Sequence, residues 1–283
     1  MIQSSTLKLL RFPFSFFLMP VSLFALSSVQ WASFPKVLLS FLLIHVLLYP
    51  SSNGYNSYMD RDTESIGGIE NPPLPSRQLF IVSVVMDLIG VVLGLFISPL
   101  YAACYFFYII CSRLYSYRGV RLKQYPILGY LTVVCNQGAL IFFMNWHAAA
   151  GTNHMPLLGM IAASLLIGGF YPMTQIYQHA QDKADRVQTL SMLLGIKRTF
   201  YFCIFINAVS MPILFFFFNQ QNRLSAFFVM LLCMMPVLFY FYRWLKEVQA
   251  NERAADFSHT MRMNMLASVC TNTAFLIILL FAL

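Results

Sequence analysis

At 283 residues, with 59% hydrophobic side chains and only 10% charged ones, the chain has a mean hydropathy of +0.69, far outside the soluble range. It reads as an integral membrane protein, and no polar segment is large enough to bury a second core, so a single domain over 1–283 is expected. The formal net charge of +8 therefore speaks to topology in a bilayer, and no nucleic-acid partner is expected.

Lys8 and Arg11 precede the first apolar run, which Pro13 and Pro20 interrupt. No clean small-residue cleavage site follows, so the run reads as a first span and not as a removed leader. Apolar runs of roughly 18–20 residues, the length that crosses a bilayer, give nine expected spans. They centre on 13–30, 36–56, 79–97, 99–115, 126–147, 156–178, 199–218, 224–242 and 264–282. The fold class is thus an all-α polytopic bundle. Six cysteines are scattered through apolar segments without CxxC spacing, which excludes a disulfide framework or a zinc site and leaves them as packing residues.

The second span runs into a stretch that differs from all others, Asn53 to Arg77. Asn53, Asn56, Asp60 and Glu64 are spaced three, four and four. Such positions share one helix face, so a stripe of amides and carboxylates is expected at the end of a membrane helix. Carboxylates there need a cation or a base, and an oxygen-only set suits a hard ion such as Mg²⁺, which shares its shell with substrate phosphates. The following Asn71-Pro-Pro-Leu-Pro-Ser-Arg77 cannot be helical, because three prolines remove donors and exclude αR from the residues before them. A stiff loop folding back over the stripe is expected.

With the N-terminus inside, 16 of the 18 Lys and Arg residues fall in inner segments, leaving Lys36 and Arg223 outside. An odd number of spans satisfies the positive-inside rule. The expected localisation is a cell inner (plasma) membrane, with the N-terminus and active-site loops cytoplasmic and the C-terminus outside. Every acidic residue except Asp87 falls on the same inner side, which points to a cytoplasm-facing polar chamber. After the fourth span come Arg121 and Lys123, cations suited to phosphate oxygens. After the sixth, Gln178, Asp182 and Asp185 form a second one-sided stripe, followed by Arg186. Two acidic walls, intervening cations and an apolar bundle describe a site for a charged head with a long apolar tail, such as a prenyl diphosphate. Mg²⁺ bridged to carboxylates makes the diphosphate a leaving group.

These motifs resemble the UbiA-type intramembrane prenyltransferase superfamily. Its first motif, N-x-x-x-D-x-x-x-D, is matched by Asn56, Asp60 and Glu64, with Glu in place of the last Asp. Its N-R-P-L-P-S-G is matched by Asn71, Pro73, Leu74, Pro75 and Ser76, while Pro72 and Arg77 depart. Its second motif, D-x-x-x-D, falls on Gln178 and Asp182, located by Thr189 to Gly195. Tyr115, Ser116, Arg121, Leu122 and Lys123 resemble branches that use geranylgeranyl or similar tails. The resemblance implies nine helices and Mg²⁺-dependent transfer of a prenyl group to a lipophilic or aromatic acceptor. It further implies Asn56, Asp60, Glu64 and Asp182 as catalytic residues, and Arg121, Lys123 and Arg186 as diphosphate ligands. The metal set is Asn56, Asp60, Glu64, Gln178, Asp182 and Asp185, with Asp185 supplying the charge that Gln178 lacks or the second metal binding weakly. A terpene cyclase of the same fold is the alternative. A transporter would spread polar groups through the midplane, whereas these acids gather at one face. Asp87, inside the third span, has two readings: a base or acceptor-binding group, or a hydrogen bond to a neighbouring helix. Arg11 likewise reads as an anchor or as a group at the site mouth.

Overall fold

The computed structural model describes residues 3–281, and the described residues fold as helices joined by short connections. Eight of these helices are long and apolar enough to cross a membrane. They are α1 (Ser4–Ser27), α2 (Phe34–Asp60), α3 (Arg77–Gly94), α5 (Pro126–Ala150), α6 (Leu157–Ala184), α7 (Ile196–Gln220), α8 (Leu224–Ala250) and α9 (Phe257–Phe281). The remaining expected span is present as the 18-residue helix α4 (Pro99–Ser116), whose tyrosines and Arg113 make it less apolar than the rest. The expectation of about nine helices agrees with this count.

Proline and left-handed residues decide where the helices break. The first two turns of α1, Ser4–Leu10, stop at Arg11, which takes φ 51° and ψ 46°; a 3₁₀ turn over Phe12–Phe14 follows, and the helix restarts at Ser15. In α2, Leu43–Leu48 widens into a π-helical segment immediately before Pro50. Proline has no N–H for the ladder, and π segments of this kind are frequent at functional sites. A second π segment, Cys135–Leu140, interrupts α5. In α6 the helix tightens to 3₁₀ over Tyr171–Gln178, with Pro172 at its start. Arg11, Arg61, Arg121 and Arg186 all take positive φ. Non-glycine residues seldom do so, and all four lie at the end of the bundle that carries Asp60, Asp62 and Asp182, where the chain turns between helices.

α1 is the inner helix: it packs against α9, α5 and α2. Buried polar groups tie it there. The hydroxyls of Ser15 and Ser22 lie 2.6 and 2.9 Å from the two ring nitrogens of His45 on α2, and Asn145 of α5 donates to Ser22 at 3.1 Å. Toward the other end of the helix, Phe24 is completely buried among Phe142, Phe217, Phe218 and Phe275. Asp87 on α3 accepts from Ser51 of α2 at 2.5 Å and pairs with Arg113 of α4. This geometry matches the helix-to-helix reading of Asp87. The six cysteines are unpaired.

Candidate active site

A cavity of about 190 Å³ opens at the end of the bundle where the four left-handed arginines lie. Its first wall is the last two turns of α2. Asn53, Asn56 and Asp60 share one face and line it. Asn56 donates to Asp60 Oδ2 at 2.8 Å and to Ser116 of α4 at 3.0 Å. Asp60 is only 7% exposed and is held by Lys123 at 2.6 Å and Arg121 at 3.4 Å. Burial of this kind is tolerated because the carboxylate is paired and hydrogen-bonded.

The expected stripe ends here. Arg61 caps α2 with φ 55°, so the helix does not reach Glu64, which is exposed and outside the cavity lining. The same reversal carries Asp62 inward. On a continuing helix, a residue two after Asp60 would face away, which is why periodicity passes over it. Asp62 lines the cavity and accepts from Gln181. Its pKa is pushed up from 3.8 to about 6, by burial first and then by the like charges of Asp60 and Asp185, with Lys123 and Arg11 pulling the other way.

The second wall is the end of α6, where Gln178, Gln181 and Asp182 line the cavity. Gln178 donates to the Ser65 carbonyl at 3.3 Å, strapping the 61–76 loop across the two walls. Asp185 does not stand beside Asp182. It is turned away to pair with Arg121 and, at 3.5 Å, with Arg118, which corrects the expectation that it replaces the charge missing at Gln178. Arg121 is buried between Asp60 and Asp185 and joins the walls from behind; Lys123 is the member of that pair that lines the cavity. Arg186 is exposed and outside the lining. Arg11 lines the cavity. It donates to Asn53 Oδ1 at 3.2 Å and to the Gly67 carbonyl at 3.3 Å. Asn136 and Gln137, displayed by the π segment of α5, also line the site, as does Tyr171, whose hydroxyl lies 2.5 Å from that of Tyr115. No spacing rule points to them.

The donor set fits a hard divalent cation. Among the described residues, Asp62 and Asp182 line the cavity without an ion-pair partner within 4.0 Å, and Asp62 is destabilised by neighbouring carboxylates that such an ion would neutralise. No three acidic, imidazole or thiol groups converge into a closed cage among the described residues. Mg²⁺ needs none, since it is characteristically held by one or two carboxylates together with substrate phosphates. A second, apolar cavity of about 210 Å³ adjoins the first. The two share Phe14, Gln137, Tyr171, Thr174 and Asn264 in their linings, so a charged compartment lies next to a greasy one.

Comparison with known proteins places this arrangement. A model of the UbiA prenyltransferase family matches residues 17–266. A lycopene elongase/hydratase from Halobacterium salinarum is 27% identical over 178 residues, 59% of this chain and 60% of that protein, so the chain spans less than two thirds of the length of the curated relative it matches. The fold matches a UbiA homolog from Archaeoglobus fulgidus bound to GPP and Mg²⁺, with a TM-score of 0.72 and 17% identity over 97% of this chain and 99% of the other. The same homolog bound to DMAPP and Mg²⁺ matches equally, with a TM-score of 0.72, 17% identity and the same coverage. A digeranylgeranylglyceryl phosphate synthase matches with a TM-score of 0.62 and 17% identity over 98% of this chain and 96% of the other.

Proposed function

This chain belongs to the UbiA prenyltransferase family, and from that premise we propose that it transfers a prenyl group from a prenyl diphosphate to an apolar or aromatic acceptor within the membrane, with Mg²⁺ as cofactor. The observation that carries this reading is that the charged cavity adjoins the apolar one, with five lining residues in common. A diphosphate head and an isoprenoid tail make matching demands on the two halves.

In this reading Lys123 and Arg11 hold the diphosphate from the cavity wall, while Asp62 and Asp182, with Asp60 and Asn56 beside them, hold the metal. Bound Mg²⁺ neutralises charge on the diphosphate and improves it as a leaving group. Arg121 acts from behind, pairing with Asp60 and Asp185 and keeping both walls in register. The C1–O bond breaks heterolytically and its electron pair leaves on the diphosphate. The allylic cation is generated at the junction of the two cavities, where the faces of Phe14 and Tyr171 stabilise positive charge and the covering loop excludes water. The acceptor supplies the π electrons for the new carbon–carbon bond, and the proton it sheds leaves with the diphosphate. Relatives solved with GPP or DMAPP and Mg²⁺ support the substrate class, and the lycopene elongase/hydratase supports an apolar acceptor.

The test is incubation of the purified full chain with Mg²⁺ and labelled prenyl diphosphates, with and without apolar and phenolic acceptors. A prenylated acceptor, formed in step with diphosphate release, is expected. A hydrocarbon product without acceptor identifies a cyclase, and absence of diphosphate release under every condition refutes an enzymatic role.

A further inference from the structure

We propose that a septum of phenylalanine rings across the bundle sets the longest prenyl tail this chain accepts, an inference that rests on the prenyl diphosphate reading above. The apolar cavity runs from Gln137 and Tyr171 to Phe275, between α1, α6, α7, α8 and α9. At the opposite end of the same helices lies a groove of about 880 Å³, lined by Phe217, Leu158, Leu279 and Gln221 among others. The two do not share a residue.

Three rings stand between them. Phe275, on the cavity side, is stacked on Phe24 with centroids 4.9 Å apart and planes 19° apart. Phe24 meets Phe217, on the groove side, edge to face at 5.2 Å and 72°. Phe142 and Phe218 close the sides of Phe24 at 4.8 and 6.1 Å. Phe24, Phe142, Phe218 and Phe275 have no exposed surface, so the septum is continuous packed matter and not a gate ajar.

The order along each helix agrees. On α1, Val21 faces the tail cavity and Ser27 and Ser28 face the groove. Phe24 lies between them, three residues from Val21 and three from Ser27, a rise of about 4.5 Å each way. On α9, Phe275 faces the cavity and Leu279, one turn on, faces the groove. On α7, Met211 and Phe217 divide in the same way. α6 closes the remaining side at Gly159, where an added Cβ would come within 2.9 Å of Phe217. Glycine there lets the Phe142 and Phe217 rings seal against the helix. Interiors packed at crystal density do not yield a path for a chain several carbons thick, so a tail that runs along the bundle toward the groove stops at Phe275. Removing Phe24 and Phe275 joins the cavity to the groove and gives a longer tail somewhere to go.

The experiment measures kcat/KM and Kd for geranyl, farnesyl, geranylgeranyl and a longer polyprenyl diphosphate, using the full chain in detergent with Mg²⁺. Phe24→Ala, Phe275→Ala and their double variant are compared with Val21→Phe, which fills the cavity from the α1 side. The expected result is a rise of about tenfold or more in the long-to-short kcat/KM ratio for the alanine variants, and a fall in that ratio for Val21→Phe. Should the alanine variants fail to fold, Phe24→Leu and Phe275→Leu, which remove the rings but keep the core apolar, carry the test with the same expected rise. A length profile identical to wild type in every folded variant overturns the septum while leaving the prenyl diphosphate reading intact. A wild-type chain that binds none of the four diphosphates overturns both.

Discussion

Among the described residues, Asp62 and Asp182 are the cavity carboxylates without an ion-pair partner within 4.0 Å, whereas Asp60 is occupied by Lys123 and Arg121. Replacing Asp62 or Asp182 by Asn removes charge with little change of shape. Loss of a contact that strengthens as the diphosphate departs lowers kcat and kcat/KM together, by about 10²-fold or more. Glu64→Gln, at an exposed position outside the cavity, is expected to change neither by more than about twofold. Steady-state kinetics of the three variants separates the two carboxylates from the third, and equal losses in all of them contradict the assignment. Asp62 also makes stability depend on pH. Its folded-state pKa, about 6, is above the ordinary 3.8, so the folded chain holds that proton more tightly than the unfolded chain does. The contribution is full below 3.8 and is lost as pH rises through about 6. Without divalent cation, the melting temperature of wild type is expected to drop relative to Asp62→Asn over that interval. Adding Mg²⁺, which favours the ionised form, is expected to offset the drop. Parallel pH profiles for the two proteins contradict this.

At the scale of elements, the ties among α2, α3 and α4 hold the acidic end of α2 in place. Asp87 accepts from Ser51 and pairs with Arg113, and the Arg113 guanidinium lies 4.1 Å from the centre of the Tyr55 ring. Asp87→Leu leaves the half-buried Arg113 without its carboxylate, a loss of up to about 3 kcal/mol. Adding Arg113→Met removes the stranded charge and is expected to restore most of it. Thermal melts in detergent check the pair, and a single variant as stable as wild type contradicts the account. Sequence spacing exposed Asp87 as a group needing a partner but not which partner, since pairing across three helices has no signature in one chain's periodicity. The same limit explains the acidic stripe. The 3.6-residue period brought Asn53, Asn56 and Asp60 onto one face, but it assumes a helix that continues. The left-handed Arg61 ends it, putting Glu64 outside and Asp62 inside. On α6, the 3₁₀ segment and the turn after Ala184 likewise deliver Gln181 to the cavity and Asp185 to Arg121. Helix interiors were legible because burial repeats along them; the ends were not, because capping residues decide them one at a time.

At the scale of the whole molecule, the apolar runs and the resemblance of the motifs specified the fold class and the polar end of the bundle. The junction of the charged and apolar cavities could not be read, because Phe14, Gln137, Tyr171, Thr174 and Asn264 come from four helices. The 16-to-2 division of basic residues predicts that the polar end faces the cytoplasm. With the native cysteines replaced, Gly119→Cys and Gln188→Cys are expected to label from the cytoplasmic side, and Gln220→Cys from the other. Labelling of the first two from opposite sides contradicts the two-walled site itself. The central claim is that the two walls cooperate in ionising a prenyl diphosphate held by a divalent cation. Its most direct measurement is release of inorganic diphosphate from a labelled prenyl diphosphate, followed in the presence of an apolar acceptor as Mg²⁺ is titrated, in wild type, Asp62→Asn and Asp182→Asn. The account predicts release that saturates with Mg²⁺ in wild type, is abolished by chelator, and falls by about 10²-fold or more in each variant. Undiminished release in excess chelator, or wild-type rates in both variants, would contradict it.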